Sequence, residues 1–281
     1  MNKKKISLAS ENGIIDGIYL NAGTNSPLVI IINGHNGFYN YGMFPYLQEA
    51  LSRYGISSYS FNFSHGGIVG DADYFEDLVN YEKNCMRLEV EDVMCVLGNL
   101  HSGKFEKYNG LFLLAHSLGG VPLIFSAKKA QDENTVINGL ILVSAVKQLN
   151  FWPQEMVDEW KLNKVYYKKN NRTGQMLPQG EEFLDEVLQS DSEWNVENEI
   201  KKLHQSICIL HGENDEAVPE EHGRSLFEWA HRGNKNSFLK IIPGATHTYN
   251  TKHPFDGPTQ QLEEMINAAV LFIHSTQEFT T

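Results

Sequence analysis

The sequence predicts an α/β fold: a mostly parallel, doubly wound sheet, opened by an antiparallel hairpin and carrying a mainly helical insertion. Three observations predict it. Short apolar runs rich in β-branched residues alternate with helix-patterned stretches, as in strands covered on both faces by crossover helices. One run ends abruptly on Ala115-His116-Ser117-Leu118-Gly119-Gly120, where small residues crowd a hydroxyl. A long polar segment with scattered aromatics, residues 147–199, then breaks the alternation.

The elements follow in order. "KISLAS" and "IIDGIYLNA" flank Asn12-Gly13, a strong hairpin-turn pair. "LVIIIN" is a continuous apolar run and reads as a buried strand. A helical pattern spans Phe44 to Tyr54 and stops at Gly55, a usual C-terminal residue. "ISSYSFNF" is the next strand, and a long, broken helical stretch covers Tyr74 to Leu100. "GLFLLAHS" follows, then a helix from about Leu118, then the strand "INGLILVSA". After the insertion come the strands "SICILHG" and "FLKIIPG", and a last helix starting near Pro258. The core is therefore residues 1–146 and 200–281, with 147–199 as an insertion too long for an ordinary loop. Within it, "KKNNRTGQ" reads as a loop.

Composition narrows the partners. The 281 residues carry 23 basic and 35 acidic side chains, a net charge of −12. That argues against nucleic acid, which selects basic patches, and against anionic membrane surfaces. Cys85, Cys95 and Cys208 are an odd, sparse set, expected to be free thiols in a reducing compartment. The basic start "MNKKK" has no apolar run behind it, and no stretch has the length of a membrane span. The expectation is a cytoplasmic protein with a small-molecule substrate. Its oligomeric state is open, a homo-oligomer included.

The chemistry centres on Ser117. A sharp strand-to-helix turn of the G-x-S-x-G type lifts a serine hydroxyl above the sheet edge, and needs small neighbours where strand and helix converge. Here Ala115 replaces the first glycine and adds only a methyl group. A serine needs a base to become a nucleophile. "HGENDEAVP" and "PGATHTYN" each follow a strand and place polar residues at the edge where open α/β sheets carry their sites.

With Asn33-Gly34-His35-Asn36-Gly37, these motifs make the chain resemble the α/β-hydrolases, and among them small serine esterases of the feruloyl/cinnamoyl esterase and dienelactone-hydrolase-like groups. The resemblance covers the core in the right order; its most specific stretch is His211-Gly212-x-x-Asp215-x-x-Val218-Pro219. It implies Ser117 as nucleophile, His247 as general base and acid, and Asp215 as the group that orients His247. It also implies an oxyanion hole from the backbone N–H groups of Leu118 and His35. Asn33 stands where the related loop carries a histidine. His211 is expected to buttress the turn bearing Asp215, and Glu213 and Glu216 to be solvated.

The implied reaction is cleavage of a carboxylic ester through an acyl-enzyme. The same residues serve thioesters, amides, peptides or certain C–C bonds. The contrasting class is a binding module on the same fold that has lost its chemistry. No metal-ligand spacing and no G-x-G-x-x-G dinucleotide motif is present, so no cofactor is expected. The insertion is expected to cap the site and, as a segment, to line its mouth, where Trp152, Trp160, Tyr166, Tyr167 and Trp194 offer apolar cover; the alternative for any one of these rings is to pack the cap onto the body.

Overall fold

The computed structural model describes residues 2–278. The first half runs β1 (Asn2–Ser10), β2 (Gly13–Asn21), β3 (Ser26–Ile32), α1 (Phe44–Arg53), β4 (Ser57–Phe61), α2 (Leu78–Glu82), α3 (Met86–Gly98), β5 (Tyr108–His116), α4 (Gly120–Asp132) and β6 (Gly139–Val143). The insertion contributes α5 (Gln154–Asn163), β7 (Tyr166–Lys169), β8 (Met176–Gln179), α6 (Glu181–Leu188) and α7 (Val196–Ile200). The chain closes with β9 (Ser206–Gly212), α8 (Glu221–Gly233), β10 (Phe238–Ile242) and α9 (Gln260–Glu278).

Eight strands form one sheet in the order β1-β2-β4-β3-β5-β6-β9-β10. β1 and β2 pair antiparallel, and β2 runs antiparallel to β4; every pairing from β4 to β10 is parallel. Ser10 pairs with Gly13, so Glu11 and Asn12 are the turn residues, one position earlier than Asn12-Gly13 suggests. The central strands explain why their sequences are continuously apolar. In β3, Leu28, Ile30 and Ile32 join the core under α3, α4 and α8, whereas Val29 and Ile31 join the one under α1 and α9. β5, β6 and β9 divide the same way. A strand buried on both faces has no polar side to show.

The chain travels from β3 outward to β4, then returns to place β5 on the other flank of β3. The loops leaving β3 and β5 diverge there, opening a crevice at the carboxyl edge of the sheet.

Two elements differ from the sequence reading. The stretch 74–100 is two helices, because Cys85 is extended and starts α3 afresh. Glu186 of α6 accepts from the Met86 and Arg87 amides, at 2.5 and 3.0 Å, and so caps α3 from the insertion. The insertion also contains the ribbon β7–β8, which pairs antiparallel. "KKNNRTGQ" is the end of β7 and the turn beyond it, closed by Asn170 N–H to Gln175 O at 2.8 Å. A four-residue, mostly exposed strand carries no apolar alternation for the sequence to display.

All three cysteines are free thiols, Cys85 and Cys208 buried. Among the described residues, no helix is long and apolar enough to cross a membrane.

Candidate active site

β5 delivers its chain to the sheet edge and stops at His116. Ser117 then takes φ +57°, a left-handed conformation that few non-glycine residues adopt. The turn closes tightly and α4 starts at Gly120. The glycines have specific reasons. A Cβ on Gly119 would lie 2.4 Å from the Asn33 carbonyl oxygen, and one on Gly120 would lie 2.8 Å from Ala145 Cβ. The turn is packed too closely against the β3 and β6 ends for any side chain there.

Two further loops meet at Ser117. The His247 Nε2 atom lies 3.0 Å from Ser117 Oγ, and its Nδ1 lies 2.8 Å from Asp215 Oδ2. Asp215 is buried and fixed by its other oxygen, which accepts from the Ala217 and Val218 amides at 3.0 and 2.8 Å. The two loops are also bonded to each other. Asn214 N–H donates to Ala245 O at 2.8 Å, and Glu213 N–H to Ile242 O at 3.1 Å. A Cβ on Gly212 would meet Ala245 O at 2.5 Å, which accounts for the glycine after His211. His211 itself is buried and donates Nε2–H to Val218 O at 2.8 Å, bracing the turn that holds Asp215. Glu213 and Glu216 are exposed, and Glu213 accepts from the Gly244 amide.

The loop after β3 packs directly on this turn. A Cβ on Gly34 would fall 2.9 Å from Ser117 Cβ and 2.8 Å from the His116 carbonyl oxygen. Asn33 is buried and donates Nδ2–H to Phe61 O at 2.7 Å, tying the start of the loop to the end of β4. Asn36 is left-handed, at φ +61°, and takes a hydrogen bond from the Tyr81 hydroxyl. Gly37 N–H closes the loop on Gly34 O at 2.9 Å. Among the described residues, the His35 amide donates to no protein acceptor. Leu118, the residue after Ser117, is buried at the head of the turn.

The sequence matches no known protein family and no curated relative. Solved structures do match over nearly the whole chain. Est1E from Butyrivibrio proteoclasticus with bound ferulic acid is 18% identical, with a TM-score of 0.72 over 96% of this chain and 98% of that one. The α/β hydrolase GrgF from Penicillium sp. sh18 is 14% identical, with a TM-score of 0.74 over 99% and 100%. A monoacylglycerol lipase from Paleococcus ferrophilus is 18% identical, with a TM-score of 0.66 over 98% and 100%. The chain has the α/β-hydrolase fold.

Within this α/β-hydrolase fold, a cavity of about 360 Å³ opens above Ser117. Gly34, His35, Tyr41, Phe44, His247 and Thr248 are among its walls on the body side. The insertion contributes the run Lys168-Lys169-Asn170-Asn171-Arg172. This corrects the expectation of an aromatic mouth: none of Trp152, Trp160, Tyr166, Tyr167 and Trp194 lines the cavity. Trp160 is 1% exposed, and Trp152 packs edge-on against it and Phe183. Trp194 packs against Phe125 of α4. These rings fasten the insertion to the body of the fold and to one another. Trp152 comes nearest the site, its ring 6.4 Å from that of His35. A larger groove of about 620 Å³ lies between β10 and α9, but among the described residues its walls hold no histidine or carboxylate to activate a hydroxyl.

Electrostatics sharpen the roles open to each group. Burial pulls the Asp215 carboxyl upward, but its hydrogen bond with His247, that ring's charge, and the Val218 amide outweigh burial and leave it below the ordinary range. Asp215 is therefore an anion and holds the proton of His247 on Nδ1, leaving the Nε2 lone pair facing the Ser117 hydroxyl. Burial, reinforced by the charge of His247, pushes His116 down to about 3, so this ring is neutral. Its Nε2 lies 2.9 Å from the His247 backbone oxygen, which only accepts, so the proton sits on Nε2. Sequence reasoning assigned His116 no role, and a histidine beside a serine carries no signal of this contact. Burial, then the charge of Lys168, likewise pushes His35 down to about 3.

Proposed function

We propose that the chain is a serine hydrolase that cleaves a carboxylic ester of a small molecule through an acyl-enzyme. The observation that carries this reading is the unbroken hydrogen-bond chain Asp215–His247–Ser117 at the ends of three strands.

His247 Nε2 takes the Ser117 proton as Oγ bonds to the ester carbonyl carbon. The carbonyl π pair moves onto oxygen, and the amides of Leu118 and His35 stabilise the resulting oxyanion. The intermediate collapses, breaking the bond to the alkoxy oxygen, which leaves with the proton held by His247. Water then gives a proton to His247 as its oxygen bonds to the acyl-enzyme carbonyl carbon. This second intermediate collapses, breaking the bond to Ser117 Oγ, which takes the proton back from His247, and the acid leaves. Asp215 keeps the correct tautomer and stabilises the imidazolium throughout. Residues 147–199 serve in this reading as a cap, and the loop after β3 supplies half of the hole. The esterase and lipase names among the structural neighbours agree with an ester substrate.

The test is labelling by a fluorophosphonate together with turnover of a panel of acyl esters and thioesters. Ser117→Ala should abolish labelling and most turnover. Labelling that persists in that variant overturns the assignment, and a preference for thioesters reassigns the bond.

A further inference from the structure

The cavity above Ser117 differs in charge from the rest of the molecule. The protein carries 12 more acidic than basic side chains. Yet Lys168, Lys169 and Arg172 all line this cavity, and among the described residues no Asp or Glu does. The three come from one device, the β7–β8 ribbon, whose tip leans over the site.

Arg172 is already engaged. Its guanidinium donates to the Asp73 backbone oxygen, lies 3.8 Å from the Asp73 carboxylate, and sits 5.9 Å from the Phe38 ring centre. It holds the ribbon to the body. Lys168 and Lys169 differ: among the described residues neither has a carboxylate within 4.0 Å. Both are exposed on β7, so neither ammonium has lost its water and each is free to take a ligand's anion. The charge of Lys168 is felt at His35 in the cavity wall. An anion arriving between these lysines and the Ser117 hydroxyl gains charge-assisted hydrogen bonds from them.

The geometry points to an ester that carries a second, anionic group, a carboxylate or a phosphate, bound by Lys168 and Lys169 while its ester carbonyl lies over Ser117. The inference rests on the hydrolase reading above and narrows its substrate class. The anion stays near the cap, and Tyr41 and Phe44 offer apolar wall to the uncharged part.

The test uses matched ester pairs that differ in one charge. Mono-4-nitrophenyl glutarate against 4-nitrophenyl valerate places the anion on the acyl side. 4-Carboxyphenyl butyrate against 4-acetylphenyl butyrate places it on the alcohol side. Butyryl glycerol phosphate against butyryl glycerol supplies phosphate. In at least one pair kcat/KM should favour the anionic ester about tenfold or more at low ionic strength, mainly through KM. That ratio should shrink in 0.5 M NaCl, since screening shortens the reach of the lysines. It should approach unity in the Lys168→Gln/Lys169→Gln double variant. The ratio is taken within each protein, so a general loss of activity cancels.

Equal rates in every pair overturn the inference and leave the hydrolase reading intact. So does a double variant that slows both esters of a pair equally, because the lysines would then act on the oxyanion common to both. Calorimetric binding of the preferred anionic ester to Ser117→Ala reports the anion site without catalysis. Binding there, with no turnover by the unaltered protein, separates failure of the chemistry from failure of the anion site.

Discussion

The buried ring of His116 donates its Nε2–H to the backbone carbonyl of His247, 2.9 Å away, with ring centres 4.6 Å apart. The residue before the serine thus holds the main chain of the histidine that faces the serine. His116 touches the loop of His247, and as a neutral ring it brings no second positive charge beside it.

Replacing that ring tests the tether. His116→Phe keeps the ring volume and removes the N–H, leaving the His247 carbonyl without its donor. A lost hydrogen bond of this kind costs about 1 kcal/mol, more where the partner stays buried. We expect kcat to fall roughly tenfold with KM little changed. A purely structural role would instead lower the melting temperature and leave kcat per folded molecule as it was.

Asp215→Asn asks whether the carboxylate orients His247. Asparagine keeps the size, but its amide nitrogen can take the place of the oxygen that accepts from Nδ1 and so favour the wrong tautomer. Turnover should drop on the order of 10³- to 10⁴-fold, the loss that follows when a triad carboxylate becomes an amide. The fold should survive, because the other amide position still accepts from Ala217 and Val218. Nearly full turnover would transfer the role to another acid.

Away from the site, Glu89 on α3 gives a pH-dependent stability. Its side chain is buried, and burial, opposed by the Asn84 hydrogen bond and aided by Asp92 and Glu186, pushes it up to about 8. In the unfolded chain it ionises near 4.5. Between those values the folded state holds a proton that the unfolded state has lost, so stability falls as pH rises through this window. Glu89→Gln removes that slope and keeps an acceptor for Asn84. The variant should be more stable than the parent by about 1–3 kcal/mol at pH 8, with the gain fading toward pH 5. Thermal melts at the two pH values decide it. An equal shift at both would mean that Glu89 is not titrating.

The strands and the three residues that meet at the sheet edge are legible in the sequence because each is a local pattern. β3 and β5 are unbroken apolar runs, and Ser117, Asp215 and His247 each follow a strand inside a short, constrained turn. What the sequence hides is set by contacts between distant segments. His116 and His247 are 131 positions apart. The segment that brings Lys168 over Ser117 reads as loop, since β7 is mostly exposed and lacks alternation. The insertion tryptophans show a need for apolar cover, but the chain cannot show which surface meets it. α6 and the insertion itself supply much of that cover, and the cavity is left to the lysines.

Asn33 offers a last test, of the loop that carries the His35 amide. Its side chain bridges the end of β3 to the end of β4 through Phe61 O, and both strand ends are buried. Removing the amide in Asn33→Ala strands that carbonyl without a donor, a cost of about 1–3 kcal/mol. It also frees the segment Gly34–Gly37, whose position against Ser117 has a tolerance set by the 2.9 Å that a Cβ on Gly34 would leave. An oxyanion donor displaced by even a fraction of an ångström serves the transition state more than the bound ester. We therefore expect a melting temperature several degrees lower and a fall in kcat of roughly ten- to a hundredfold, with KM moving less. Fluorophosphonate labelling should slow in step with kcat, because the phosphonyl oxygen uses the same donors. A variant that loses stability but labels at the parental rate would detach Asn33 from the hole and leave it a brace between strands.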